Sequence, residues 1–85
     1  MHITHHERVE GHPHRWHVFL HGHDKPVHAE LSPEDRAQLN MNDEEIHEAL
    51  PNAVVRHATA HRDHDLGRYS SWDQPLQIGH PHFLA

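Results

Sequence analysis

The segment RWHVFLHGHDKPVHAEL, residues 15–31, constrains the fold more than any other part of this chain. Apolar side chains stand at every second position on both sides of the stretch GHDK at 22–25. A period of two is typical of β-strands with one buried face, and a short Gly-containing polar stretch between two such runs is typical of a turn. The segment therefore predicts an antiparallel β-hairpin. Its buried face carries Trp16, Val18, Leu20, Val27, Ala29 and Leu31.

The N-terminal residues show a weaker alternation, through Ile3 and Val9. It predicts a third strand, joined to the hairpin through the tetrapeptide GHPH at 11–14, because glycine and proline are typical of turns. The same tetrapeptide recurs at 79–82. If the two ends of the chain lie close together, four imidazoles could converge on one ion. The alternative is two exposed turns in a His-rich chain.

Helix signals follow the hairpin. Ser32 is suited to an N-cap and Pro33 to the first helical position, which predicts a short helix ending near Asn40. A second helix is predicted to start at Asn42, because Glu45 stands three residues later and completes a capping box.

The second helix is expected to continue to Leu66 and to stop at Gly67. Pro51 interrupts it, so we expect a kink or two helices that meet there. Apolar residues recur at helical spacing and would face the sheet. These residues are Ile46, Leu50, Ala53 and Val54.

These patterns predict one small α+β domain spanning residues 1–85, in which an antiparallel β-hairpin or three-stranded sheet packs against one or two helices. Residues 1–31 form the β-rich part, 32–67 the helical part and 68–85 an extended C-terminal tail. The tail carries apolar residues that predict packing as a short edge strand. They are Trp72, Leu76, Ile78 and Phe83.

Size and charge narrow the function classes. A chain of 85 residues buries only about 60–65% of its unfolded surface, so we expect a protein partner, a homo-oligomer or a bound metal to add stability. With neutral histidines the net charge is −6, and 15 protonated histidines would bring it to −6 + 15 = +9. Nucleic acid is disfavoured because only 7 Lys and Arg are present.

The chain has no cysteine and no apolar run long enough to span a membrane. We therefore expect no disulfide, no thiolate ligand and no membrane partner, and a soluble cytoplasmic protein. Catalysis is also not expected, because so short a chain leaves little material for a closed pocket that excludes water.

The most specific chemical pattern is RHATAHRDHD at 56–65. On a continuous helix His57, His61 and His64 fall within an arc of about 60°. Imidazoles one turn apart can share a transition metal, and Asp65 could ligate the metal or orient His61. The alternative interpretation is a histidine at the edge of the core followed by a solvated helix end.

A second cluster is predicted on the outer face of the hairpin, where His17 and His21 would be joined by His28 from the neighbouring strand. The competing interpretation is that outward sheet faces are polar and that histidine is simply one polar residue there.

The sequence thus predicts a small, soluble, His-rich binding protein that takes up a divalent transition metal through clustered histidines. Ligands of this kind suit Zn(II) or Ni(II), and no organic cofactor is expected. The alternative is a non-catalytic protein–protein interaction module, such as a regulator, an inhibitor or a complex subunit, whose histidines are incidental or sense pH.

Overall fold

A computed structural model describes residues 1–84, so Ala85, the last residue of the predicted tail, lies outside the described residues. The chain forms an α+β domain, as predicted, but its sheet has four strands rather than two or three. The strands lie side by side in the order β1-β2-β3-β4, and one long helix packs on one face. In chain order the elements are β1 (Ile3–Val9), β2 (His12–Leu20), β3 (Val27–Leu31), α1 (Pro33–Ala37), α2 (Asp43–Ala60), a first 3₁₀ turn (Leu66–Arg68), β4 (Leu76–Ile78) and a C-terminal 3₁₀ turn (His80–His82).

The central hairpin is confirmed. β2 pairs antiparallel with β3, with Trp16 opposite Ala29 and Val18 opposite Val27. All six residues predicted for its inner face are buried. The side chains of α2 that complete this core are Ile46, Leu50, Ala53, Val54 and Ala58.

Only Gly11 of the first GHPH tetrapeptide lies in the predicted turn, and the other three residues belong to β2. β1 and β2 are connected by Glu10 and Gly11, and Gly11 has the positive φ of +78° that a tight hairpin turn requires. The register shifts between Arg8, opposite Trp16, and Val9, opposite His12. Residues 13–15 therefore form a bulge in β2, where a proline without an N–H group disrupts no ladder bond.

The tail forms a short edge strand, as predicted. β4 pairs parallel with β3, with Ala29 opposite Leu76 and Leu31 opposite Ile78. A parallel neighbour needs a long crossover connection, and residues 32–75, which include both helices, supply it. This pairing brings the C-terminal residues back to the helical layer.

The predicted helix starts are confirmed by their caps. The Ser32 hydroxyl accepts from the Asp35 backbone N–H at 3.1 Å. Asn42 and Glu45 form the reciprocal capping box, with bonds of 2.8 and 3.0 Å. No helix within residues 1–84 is long and apolar enough to cross a membrane.

Pro51 lies inside α2, and two helices do not meet there: the helix is one element. Because proline has no N–H, the carbonyl of His47 loses its partner in the helix. His6 Nε2 on β1 donates to that carbonyl at 2.9 Å. The Trp16 indole donates to Nδ1 of the same His47 at 3.1 Å. One helical residue thus binds two strands.

The prediction that α2 runs to Leu66 is wrong, because the helix ends at Ala60. Arg62 N–H donates to the Thr59 carbonyl at 3.2 Å, and Asp63 N–H donates to the Ala58 carbonyl at 2.9 Å. These two bonds are those of a Schellman motif. Arg62 occupies the left-handed position that usually holds glycine, with φ +52°. A residue with a Cβ pays about 1–2 kcal/mol for this conformation.

Candidate metal centre

Three histidines converge at the C-terminal end of α2. One ring nitrogen from each of His57, His61 and His82 lies within 4.8 Å of the other two. The ring centroids are 4.4 Å apart for His57 and His61, 5.0 Å for His57 and His82, and 5.7 Å for His61 and His82. Within residues 1–84 no other three His, Asp or Glu side chains meet this spacing.

Two separate segments supply these rings. His57 and His61 are one turn apart at the end of α2, so both project from one side of the helix. His82 belongs to the C-terminal 3₁₀ turn, which packs against α2. Arg56 donates to the His82 carbonyl at 3.0 Å and anchors this turn beside the helix.

The C-terminal turn is held by two further contacts. Phe83 is buried in the core. His80 Nδ1 donates to the Asp35 carboxylate at 2.8 Å, and this hydrogen bond is the main reason why the pKa of Asp35 is lowered. His80 and His82, from one GHPH tetrapeptide, thus face different partners. The position of His82 is therefore defined by contacts on both sides.

Of the four residues predicted from the RHATAHRDHD segment, the structure brings only His57 and His61 together. The predicted stripe required a helix continuing past Ala60, and the Schellman motif turns the chain away. His64 is exposed and lines a different depression, which it shares with His21 and His23. Asp65 is exposed and is the N-cap residue of the first 3₁₀ turn.

The first GHPH tetrapeptide does not join the cluster. His12 and His14 line a depression with Glu30 and Pro33, on another part of the surface. The predicted convergence of four imidazoles is therefore absent from residues 1–84, and only His82 of the two tetrapeptides contributes to the cluster. The repeated tetrapeptide pointed to His82, but nothing in the sequence distinguished it from His80.

On the outer face of the hairpin the structure brings two of the three predicted histidines together. His17 and His28 are directly opposite each other, with ring centroids 4.7 Å apart. Trp72 packs against both rings, at 5.7 and 4.6 Å. His21 lies beyond the end of β2, against His2. An indole therefore packs where a third imidazole was predicted.

The environment of the cluster favours neutral imidazoles. Burial is the main cause that lowers the pKa of His57, and His61 and His82 lower it further, while Asp63 opposes them. Burial also lowers the pKa of His82, with a contribution from His61. His57 Nδ1 is buried and has no hydrogen-bond partner among the described residues. Neutral imidazole is the form that binds metal ions.

A polar depression of about 300 Å³ borders the cluster. It is lined by His57, His61, Arg62, Asp63, Arg68 and Tyr69. The Asp63 carboxylate accepts from the Tyr69 hydroxyl at 2.6 Å and from Arg68 at 3.2 Å. The Tyr69 hydrogen bond is the main cause that lowers the pKa of Asp63, which keeps this group ionised.

The arrangement offers three imidazole nitrogens next to a depression lined by side chains of both charge signs. Three imidazoles suit a borderline transition metal, and a tetrahedral ion with three protein ligands keeps one open position. Comparisons of the chain with protein-family models, with curated proteins and with solved structures each found no match.

Proposed function

We propose that this chain binds one divalent transition metal ion, Zn(II) or Ni(II), through His57, His61 and His82. The observation that carries the proposal is the spacing of the three ring nitrogens, all within 4.8 Å of one another. A bound ion would draw the three rings closer together, because zinc–nitrogen distances are about 2.0–2.1 Å. The chain is then a small metal-binding domain.

Two features of the cluster support this function. The ligands come from α2 and from the C-terminal 3₁₀ turn, so a bound ion would cross-link segments that only folding brings together. Such binding stabilises the folded state. In addition, His57 Nδ1 is buried without a hydrogen-bond partner, and such a group requires an explanation. A metal ion bound to one ring nitrogen of His57 would supply that explanation, because metal binding fixes the tautomer of the ring.

Alanine substitution of His82 and of His64 distinguishes this site from the stripe predicted by the sequence. We expect one ion per chain in the untagged wild-type protein. Removal of a group that only orients a metal ligand weakens metal binding roughly 10–100-fold. His82→Ala removes a ligand itself, so we expect a loss of at least that size. His64→Ala should bind as the wild type does, because His64 lies in another depression.

The measurement is calorimetric titration with Zn(II) and Ni(II), together with metal analysis. Equal losses for the two variants, or weak uptake that scales with the total number of histidines, would contradict the proposed site. Thermal unfolding with and without metal shows that each variant is folded. An ion at 100 times its dissociation constant should add about 2.7 kcal/mol to the wild type.

Acid should release the ion. Each ligand must lose its proton, so the apparent affinity should fall as the pH drops below about 6.5, the usual pKa of histidine. Because burial lowers the pKa of His57 and His82, much of the loss should fall below that value. Competition with a chromophoric chelator between pH 7.5 and 5 measures the effect. A pH-independent affinity would exclude histidine ligation.

A second candidate function is a pH-sensing protein–protein interaction module. It is favoured by His47, whose Nδ1 accepts from the indole of the buried Trp16 and can do so only when it is unprotonated. Protonation of His47 would loosen the two layers and any interface that depends on them. Its test is the pH dependence of stability described below.

A further inference from the structure

We propose that the depression beside the histidine cluster binds a phosphate-type oxyanion, which completes the coordination of the metal. This inference rests on the metal-binding function proposed above. His57 and His61 are candidate ligands and also line the depression. An ion bound to their nitrogens therefore borders this space. With three imidazole ligands, a tetrahedral ion has one position for an external ligand.

The charges around the depression favour an anion. Arg62 and Arg68 line it, and Asp63 is its only acidic residue. Arg68 is already ion-paired with Asp63 at 3.2 Å. Arg62 makes no ion pair with any residue in 1–84, so its guanidinium group is free to bind an anion. A divalent ion would add two further positive charges.

The identity of residue 62 adds a second argument. Its left-handed φ of +52° is a conformation that glycine adopts freely and residues with a Cβ disfavour. The chain nevertheless carries arginine there. The guanidinium group presents a planar set of N–H donors that matches two oxygens of a phosphate or carboxylate. Strain at a position that borders a candidate site is typical of functional residues.

The size and polarity of the depression suit a small oxyanion. Its volume of about 300 Å³ is at the lower end of the range for ligand pockets. The arginine donors in the lining suit a group with several acceptor oxygens. Inorganic phosphate and a small phosphate ester share that chemistry.

The test uses full-length protein loaded with Co(II), whose visible spectrum changes when a ligand enters its open position. Inorganic phosphate and phenyl phosphate are titrated separately. We expect a saturable spectral change in the wild type. Arg62→Gly should raise the dissociation constant of the anion roughly tenfold or more, the loss typical of a charge-assisted hydrogen bond. Its affinity for Co(II) is measured without phosphate, so that a change in metal binding is separated from a change in anion binding.

This variant avoids a folding artefact, because glycine relieves the left-handed strain at position 62 and should stabilise the helix end. Lys25→Ala is the charge control: it removes one positive charge from an exposed turn that does not line the depression. It should leave anion binding unchanged. Equal losses for the two variants would overturn the inference, since they would indicate a non-specific effect of net charge.

The two proposals fail in different ways. Absence of stoichiometric Co(II) binding would overturn the metal site and this inference with it. Tight Co(II) binding with a spectrum that neither phosphate compound changes would overturn the inference alone. Tighter binding of phenyl phosphate than of inorganic phosphate would support the inference with an ester as ligand, and the reverse order would support it with the free ion.

Discussion

Replacement of Trp16 by alanine is expected to leave much of the chain unfolded at neutral pH. Trp16 is 0% exposed and lies in β2, between β1 and β3. Truncation of a buried aromatic residue costs about 3–5 kcal/mol. That is comparable to the whole stability of a small domain, at the lower end of about 5–15 kcal/mol. The variant also removes the indole N–H that His47 accepts.

Phe19→Ala is the matched control, because Phe19 is an aromatic residue of the same strand that faces the other side of the sheet. Phe19 is only partly buried and packs against His5, with ring centroids 5.5 Å apart. We expect a loss of less than roughly 1 kcal/mol, the range of cross-strand pairs. Urea unfolding followed by circular dichroism measures both variants. Similar losses would contradict the assignment of the buried face.

Acidification from pH 8 to pH 5 should destabilise the fold. Burial is the main cause that lowers the pKa of four histidines from the usual value of 6.5: His28, His47, His57 and His82. Between 6.5 and the lower folded values the unfolded chain binds more protons, so its relative free energy falls as the pH drops. The stability that these neutral histidines allow is therefore fully present above pH 6.5, and it is lost progressively as the pH falls below that value. Asp35 and Asp63 have lowered pKa values and act in the same direction, but only near and below their usual 3.8.

His47 is the residue at which this effect can be isolated. Burial lowers its pKa, His6 and Arg8 on β1 lower it further, and Glu48 on α2 opposes them. A proton on Nδ1 would also replace the acceptor of the Trp16 indole with a second donor. His47→Asn offers an acceptor oxygen near the same place and does not titrate.

We expect His47→Asn to flatten the dependence of the unfolding free energy on pH between 8 and 5. One proton bound differently in the two states changes that slope by at most about 1.4 kcal/mol per pH unit. Urea unfolding at each pH, without metal, gives the slope. His12→Asn, an exposed position at the start of β2, is the control. Equal slopes for His47→Asn and the wild type would exclude His47 as the pH-sensing group.

Local patterns of the sequence predicted much of the fold. The alternation around Trp16 indicated the buried face of the hairpin, because side chains of a strand point to opposite sides in turn. Ser32 and Asn42 indicated the helix starts, because their side chains can satisfy N–H groups only a few residues away. Both signals depend on neighbouring residues, so they can be recognised without knowledge of the fold.

Other features depended on contacts between distant residues. The end of α2 was predicted six residues too late, because Arg62 occupies a left-handed position that composition alone assigns to glycine. Continuity through Pro51 is accompanied by a hydrogen bond from His6, 41 residues away, to the His47 carbonyl. No local sequence pattern around His6 or His47 predicts this hydrogen bond.

The candidate site divides in the same way. Helical spacing brought His57 and His61 to one side of α2, because one turn of helix places them there whatever surrounds it. Which histidine completes the cluster was decided by the tertiary structure. His82 lies at the helix end because β4 pairs with β3, Phe83 is buried and Arg56 binds the His82 carbonyl. His64 lies in another depression. A ligand set drawn from residues 57 and 82 depends on the path of the intervening chain, which packing of the whole core determines.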